Sequence, residues 1–520
     1  MSKILNLYRL FIAKLESEQN SFQGAVWTFF FAATLRNFLE YLVAEESFAR
    51  PLLHSFYHYY LSYICLAIGL IIILHYATRE KMLTISRVIL PCFIVLNLVP
   101  VIDMLAYYLI GLDGDVGYMF PGRHGNFWQR LVTFFGPFDR SGITLGMRCE
   151  IALVVFSSGM YVYLKTKNIW RSFIFGILTY VFIFVYCAIP FVIMPFLKLF
   201  GLSGRLTTLV IGYFYGFLLF ILGGGLFWIN HKTYVIAILK DGRYLRLLHY
   251  LGMFLLGFVL AQATSLKPFS LNAVNLFQGV FLVLSIASAW CFSVGTNNLA
   301  DQDIDRVVNP ERPTIAASIP EHHYRCITYG FLALACLYAG SVNFESLFLV
   351  LVFVGNYYLY SMPPLRLKRV PFFSKFLISV NGLALIVLGY IYYIKNARTF
   401  FNLYANEGFL LFILMAFTAA INFIDLKDYE GDKAAGIRTL PVILGLERSK
   451  AVIGFFFLFA YIAAPVLFKN KILFLPAIIL GSAQYYLINR REYDERPVFI
   501  LYLLSIYSVI FLIKLGWLLP

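Results

Sequence analysis

The chain reads as an all-α, polytopic membrane protein, and three features of its 520 residues predict this class. Hydrophobic residues make up 61% and charged residues only 13%, about half the charged fraction of an ordinary soluble domain. The apolar residues also run in long blocks. Residues 173–196, 206–229 and 498–517 each suffice to cross a hydrocarbon core of about 30 Å, and such blocks recur along the whole chain, which a few buried helices of a soluble protein do not explain. Finally, cationic residues gather in the short gaps between blocks, as they do in cytoplasmic loops of spanning proteins. That placement accounts for the net charge of +15 and argues against nucleic acid as a partner.

At ~20 residues per span, about six spans precede the basic segment 230–246 and about nine follow it. The early ones begin near Ala25, Tyr60, Val88, Met147, Phe173 and Leu206. The later ones begin near Leu248, Val274, Tyr324, Leu347, Phe376, Phe409, Ala451, Ile472 and Val498. Before the first span, Ile4, Leu7, Phe11 and Leu15 recur at helical spacing around Arg9 and Lys14, so a short interfacial helix is expected there rather than a cleavable signal. With a cytoplasmic N-terminus, alternate loops carry Arg79, Lys81 and Arg87, then Lys165, Lys167 and Arg171, then the cations of 230–246. The alternation continues through Arg306 and Arg312, Arg366 to Arg369, and Lys427, Lys433 and Arg438, while opposite loops hold fewer cations. Three regions follow: a six-span part (1–229), a basic connecting segment lying along the surface (230–246), and a second bundle (247–520). The seven cysteines are scattered and form no Cys-x-x-Cys pair, so neither a structural zinc nor a disulfide framework is expected.

Two acidic motifs carry the chemistry. Asn297, Asp301 and Asp305 are four residues apart, which keeps them on one helical face. Asp425, Asp428 and Asp432, with spacings of three and four, also share a face. The orientation places both motifs at cytoplasmic span ends. Carboxylates near a bilayer core cost up to about 3 kcal/mol each on insertion scales, so two such clusters on one side of the membrane point to function. Oxygen ligands of this kind suit Mg2+, which takes one or two carboxylates and the phosphates of a substrate. The amide and carboxylate set does not suit zinc. Arg312, set between Glu311 and Pro313 beside the first motif, and the loop Arg366-Leu367-Lys368-Arg369 supply cations for phosphate, although positive-inside topology explains any single member of that loop equally well.

Together these residues resemble the UbiA superfamily of intramembrane prenyltransferases. Its first signature is similar to Asn297 through the Arg312-Pro313 loop, and its second to Asp428 and Asp432 with Asp425 one turn earlier. Further family-like stretches are Glu430-Gly431-Asp432, Gly436, Thr439 to Val442, and Tyr360 to Lys368. The resemblance covers about 245–520 and implies a nine-helix bundle, here preceded by a six-helix membrane region. It departs at Asn297-Asn298, where the family often has Asn-Asp, and at Ala316-Ala317-Ser318, which replace a glycine after the Arg-Pro loop. The implied reaction is Mg2+-dependent transfer of an isoprenoid from a prenyl diphosphate donor to a lipid, quinone-precursor or other aromatic acceptor. The implied roles are metal binding for Asn297, Asp301, Asp305, Asp428 and Asp432, and diphosphate contact for Arg312, Lys368 and Lys433. Asp425 is either a further ligand or a proton acceptor. Cyclising a terpenoid or coupling a phosphosugar on the same fold stays open, and a transporter is the reading from another class. The expected setting is the lipid bilayer (the cell membrane, if the source is prokaryotic) with the site facing the cytoplasm.

The N-terminal part is less telling. Arg36 and Glu40 lie four apart on the first span and suit an ion pair. Asp103 lies within the third span, and residues 111–146 form a long, Gly-rich loop on the outer side. This region is expected to dock a protein partner or to modify the lipid product.

Overall fold

A computed structural model describes residues 2–17, 21–43, 52–111, 127–136, 143–199, 208–265, 268–370, 372–395, 407–434 and 436–518. The chain divides into two compact units, 1–230 with 271–277, and 231–270 with 278–520. Among the described residues, 13 helices are long and apolar enough to cross a membrane. In hydrocarbon a helix pairs its own backbone groups and needs no water to do so.

The first unit contains α1 (Ser2–Glu16), α2 (Phe22–Val43), α3 (Leu52–Thr78), α4 (Met82–Cys92), α5 (Leu98–Ile110), α6 (Phe127–Val132), α7 (Leu145–Thr166), α8 (Ile169–Cys187) and α9 (Ile189–Leu199). α1 buries Ile12 and leaves Leu7, Leu10 and Phe11 exposed, the one-sided apolar exposure expected of an interfacial helix. Tyr8 donates to the Ser157 carbonyl at 2.9 Å, and Lys165 holds Glu16 at 2.8 Å. The single span expected over 173–196 is two helices, because α8 ends at Cys187 and α9 starts at Ile189. Arg36 is buried and donates to the Leu96 carbonyl at 2.8 Å. The Glu40 side chain and residues 112–126 and 137–142 of the long loop lie outside the described residues. Asp103 accepts from the Gly146 amide at 2.7 Å.

The basic segment 230–246 is mostly helix, and the division between the two units falls at its start, between Asn230 and His231. α10 (Thr208–Asp241) runs through it with one non-helical residue, His231 at φ −138° and ψ 46°. It ends in a turn where Arg243 has φ 46°. α11 (Tyr244–Thr264), α12 (Ala273–Ala300), α13 (Gln302–Val308), α14 (Glu321–Val342), α15 (Phe344–Ser361), α16 (Phe373–Ile394) and α17 (Glu407–Ala420) follow. The unit closes with α18 (Tyr429–Ala434), α19 (Leu440–Leu444), α20 (Leu446–Leu467), α21 (Phe474–Ile488) and α22 (Glu495–Lys514). The segment beginning near Phe409 is shorter than a full span, since α17 has only 14 residues and tightens into a 3₁₀ turn over Ile421–Leu426.

α11 and α16 set the frame of the second unit. A methyl group added at Gly257 would lie 1.8 Å from the Ile386 carbonyl oxygen, and one at Gly389 would lie 1.9 Å from that of Phe254. Lipid tails are as apolar as leucine, so helices in a membrane associate through such close backbone approach. α11 also binds α22: Tyr507 donates to the Leu248 carbonyl at 2.9 Å, and Tyr502 bonds His249 at 3.0 Å. Phe423, Phe457 and Phe499 join the 3₁₀ turn, α20 and α22 in one buried cluster. These contacts bring the start of α11, the end of α12, the start of α16 and the 3₁₀ turn around one cavity.

We expect Gly389→Ala to force α11 and α16 apart and to cost about 1–3 kcal/mol, the usual range for overpacking. Thermal unfolding of the detergent-solubilised protein reads this as a lower midpoint, and an unchanged midpoint would contradict the close crossing.

Candidate functional site

The first acidic motif keeps its alignment although its helix breaks. α12 ends at Ala300, and Asp301 leaves helical geometry with φ −108° and ψ 15°. Backbone bonds nonetheless continue from Asp301 to Asn297, from Asp305 to Asp301 and from Asn309 to Asp305, at 3.0, 2.8 and 2.8 Å. The four side chains therefore stack at one-turn intervals. The second motif differs from the uniform helical face expected of it. Asp425 lies in the 3₁₀ turn and Asp432 in α18, and the Asp428 amide bonds the Asp425 carbonyl at 3.2 Å between them. A 3₁₀ turn has three residues, so the spacing of three still aligns Asp425 with Asp428.

Both motifs line one cavity of about 160 Å³, roughly ten times what one water needs. Asn297, Asp301 and Asp305 line it together with Asp425, Asp428 and Asp432, and Arg312 and Lys368 line it too. Lys433 is exposed, lies 5.6 Å over the Tyr429 ring and is not in the lining. Arg366 donates to Asp301 at 2.9 Å and to the Ala300 carbonyl at 2.6 Å, and Lys368 bonds the same carboxylate. Lys375 donates to Asp425 at 2.6 Å. Arg306, by contrast, turns outward to exposed Asp303 at 3.4 Å.

Sequence reasoning passed over Asp241, Arg243, Arg246, Lys375 and Glu495. Arg243, Arg246 and Lys375 line the cavity. Asp241 pairs with Arg312, and Glu495 holds Arg246 at 3.0 Å. The cations of 230–246 were absorbed by the topology rule. Lys375 did carry a signal, a lysine near the start of an apolar span. The lining also includes the aromatic side chains of Tyr250, Trp290, Phe417, Phe499 and Tyr502.

Burial sets the protonation of the groups outside the spans. It raises Asp305 above the usual carboxylate range, against the opposing pull of Asn309 and Arg312. It likewise raises Asp428 despite Lys427 and Arg246. Asp432 is pushed up to about 7 by burial, with Asp425 and Asp428 adding their negative charge. Burial lowers Lys368, and Asp301 opposes that shift.

The donor set fits a divalent ion. The Oδ2 atoms of Asp305 and Asp425 are buried without a hydrogen-bond partner, and a buried carboxylate oxygen left unpaired is costly. Oxygen-only ligands at such a place match a hard cation. No three acidic, histidine or cysteine groups among the described residues already close on one point; the ammonium groups of Lys368 and Lys375 supply countercharge there.

Residues 250–509 match the model of the UbiA prenyltransferase family. The chain is 26% identical to a 2-acylphloroglucinol 4-prenyltransferase of Humulus lupulus, over 42% of its own length and 55% of the relative's. It is 29% identical to a digeranylgeranylglyceryl phosphate synthase of Thermococcus sibiricus, over 36% of its own length and 63% of the relative's. It thus spans less than two thirds of these relatives. A solved structure of a UbiA homolog from Archaeoglobus fulgidus, bound to GPP and Mg2+, is similar at 20% identity with a TM-score of 0.43, covering 54% of this chain and 98% of that one.

The raised Asp432 carboxyl predicts a pH dependence of cation binding. A carboxyl group must shed its proton to hold a cation, so with a value near 7 affinity is full above about pH 8 and falls as pH drops through 7. Titrating Mn2+ into the solubilised protein between about pH 6 and pH 8.5 checks the slope, and Asp432→Asn is expected to flatten it.

Proposed function

The chain belongs to the UbiA prenyltransferase family, and from that premise we propose that it is a membrane enzyme that moves an isoprenoid from a prenyl diphosphate to a lipid, quinone-precursor or other aromatic acceptor. One observation carries this reading: two carboxylate sets far apart in sequence line a single cavity together with Arg243, Arg246, Arg312, Lys368 and Lys375. Such a mixture of hard oxygen ligands and cations is complementary to a diphosphate with its Mg2+. The names of the hop and Thermococcus relatives support aromatic and glycerol-phosphate acceptors respectively.

Asn297, Asp301, Asp305, Asp428 and Asp432 are assigned to Mg2+, which when bound neutralises charge growing on the departing diphosphate. Arg312, Arg243, Arg246 and Lys368 hold the diphosphate oxygens; guanidinium forks suit them best. Lys433 carries no role in this assignment, because it lies over the Tyr429 ring and is not among the lining residues. As the allylic carbon–oxygen bond breaks, its electron pair leaves with the diphosphate. The aromatic wall around Trp290 and Phe417 excludes water and offers π faces to the cationic carbon. An acceptor carbon or oxygen then bonds to that carbon, and its proton goes to a carboxylate. Asp425, whose Oδ1 is fixed by Lys375 and whose Oδ2 has no partner, takes that proton when its Oδ2 does not serve as a further metal ligand. The cation-rich loops beside both motifs support a cytoplasm-facing site.

The purified protein is expected to release diphosphate from prenyl diphosphates in a Mg2+-dependent way when given a phenolic or a glycerol-phosphate ether acceptor. Asp301→Ala and Asp428→Ala should each lower that rate about 100- to 1,000-fold, the range for removing one preorganised electrostatic group. No release with any donor would defeat the proposal, and a cyclised product without acceptor consumption would replace transfer by cyclisation.

A further inference from the structure

The last residues of α10 reach the first acidic motif. Asp241 accepts from Arg312 through one oxygen and from Asn298 Nδ2 through the other. Asn298 is fully buried, and its Nδ2 also donates to the Tyr324 hydroxyl at 2.9 Å. On its other side Asn298 Oδ1 accepts from Arg243 Nη2 at 3.0 Å. The turn that carries Asp241 and Arg243 is pinned by Trp290 Nε1, which donates to the Gly242 carbonyl at 2.9 Å.

The chain Arg312–Asp241–Asn298–Arg243 thus joins two cavity-lining guanidinium groups. Each engages the carboxylate or the amide through a terminal nitrogen and keeps its Nε buried without a hydrogen-bond partner. Arg312 Nε forms a long ion pair with Asp305 Oδ1 at 3.8 Å, beyond hydrogen-bond length. A buried N–H without a partner calls for a water or an ion to satisfy it, and for two arginines that line this cavity an anion is the complementary ligand.

We propose that Asp241 is a positioning residue that, through Asn298, aims Arg312 and Arg243 at the diphosphate of the donor. The inference rests on the diphosphate reading above and adds to it a carboxylate from outside both motifs. It also gives the departure at Asn298 a physical reason. A carboxylate at 298 would face that of Asp241, and two like charges buried in contact repel; an amide donates to the first carboxylate while accepting from Arg243. The negative charge sits on α10, and the motif position carries its neutral partner.

Exchanging the pair tests this. The probe is inorganic pyrophosphate with Mg2+, titrated calorimetrically into the full-length solubilised protein. Asp241→Asn removes the carboxylate charge that holds Arg312, and Asn298→Asp sets two carboxylates against each other; each is expected to weaken binding about tenfold or more, as expected for losing a hydrogen bond to a charged group. The double variant restores a carboxylate–amide pair in reverse order, with the carboxylate at position 298 now on Arg243, and should return to within about threefold of the parent because the sites couple. If Asn298→Asp does not fold, Asp241→Asn and the double variant decide alone. A double variant that binds no better than Asp241→Asn, or an Asp241→Asn protein that binds like the parent, overturns the proposal. A parent that does not bind the probe overturns the diphosphate reading itself, which separates the two failures. In steady state, Asp241→Asn should raise KM for the donor while KM for the acceptor stays put, a split that general loosening of the fold would not produce.

Discussion

Mutual neutralisation of buried opposite charges is the constraint on which the second unit depends. The carboxylates of Asp301, Asp305, Asp425, Asp428 and Asp432 are gathered at the ends of apolar helices, where each alone is disfavoured. They persist because cations are folded in among them: Arg366 and Lys368 on Asp301, Lys375 on Asp425, Arg312 near Asp305. Removing one partner from such a pair leaves an uncompensated charge in a poorly solvated place, the costly case for ion pairs. The balance is incomplete where it matters chemically. The Oδ2 atoms of Asp305 and Asp425 and the Nε atoms of Arg243 and Arg312 are left without partners, so the cavity retains capacity for a cation and an anion at once.

The backbone makes this gathering possible by breaking its helices in two places. The break at Asp301 turns the chain out of α12 without disturbing the one-turn stacking of the motif, since the backbone bonds are carried across it. The tightening of α17 into a 3₁₀ turn does the same for Asp425 and Asp428. Irregular backbone of this kind is tolerated where it lines a polar cavity instead of lipid. Behind these breaks, the close crossing of α11 and α16 at Gly257 and Gly389 holds the frame.

Most of the architecture was legible in the sequence because hydrocarbon imposes a simple rule on composition. A helix must be apolar for about 20 residues to cross, so blocks and loops announce themselves, and 13 such helices stand among the described residues. The misreadings have physical causes. The block 173–196 is uninterrupted in polarity, yet its backbone restarts at Ile189. For segment 230–246 the charge marks a connecting segment but leaves its backbone open, and α10 runs through most of it. Charge predicts which side of a membrane a segment prefers, not whether it is helical.

The sequence by itself determined the membrane class, the two acidic motifs and their family, because local spacing and composition are properties of neighbouring residues. Only the tertiary structure decided which charges meet. Asp241, Asn298 and Arg312 are separated along the chain by turns and helices, and nothing in their local spacing ties one to another; their contact exists because α10 ends where α12 ends. Lys433 shows the converse. It is one residue from Asp432, yet its side chain lies over Tyr429, since adjacent residues on a helix point about 100° apart.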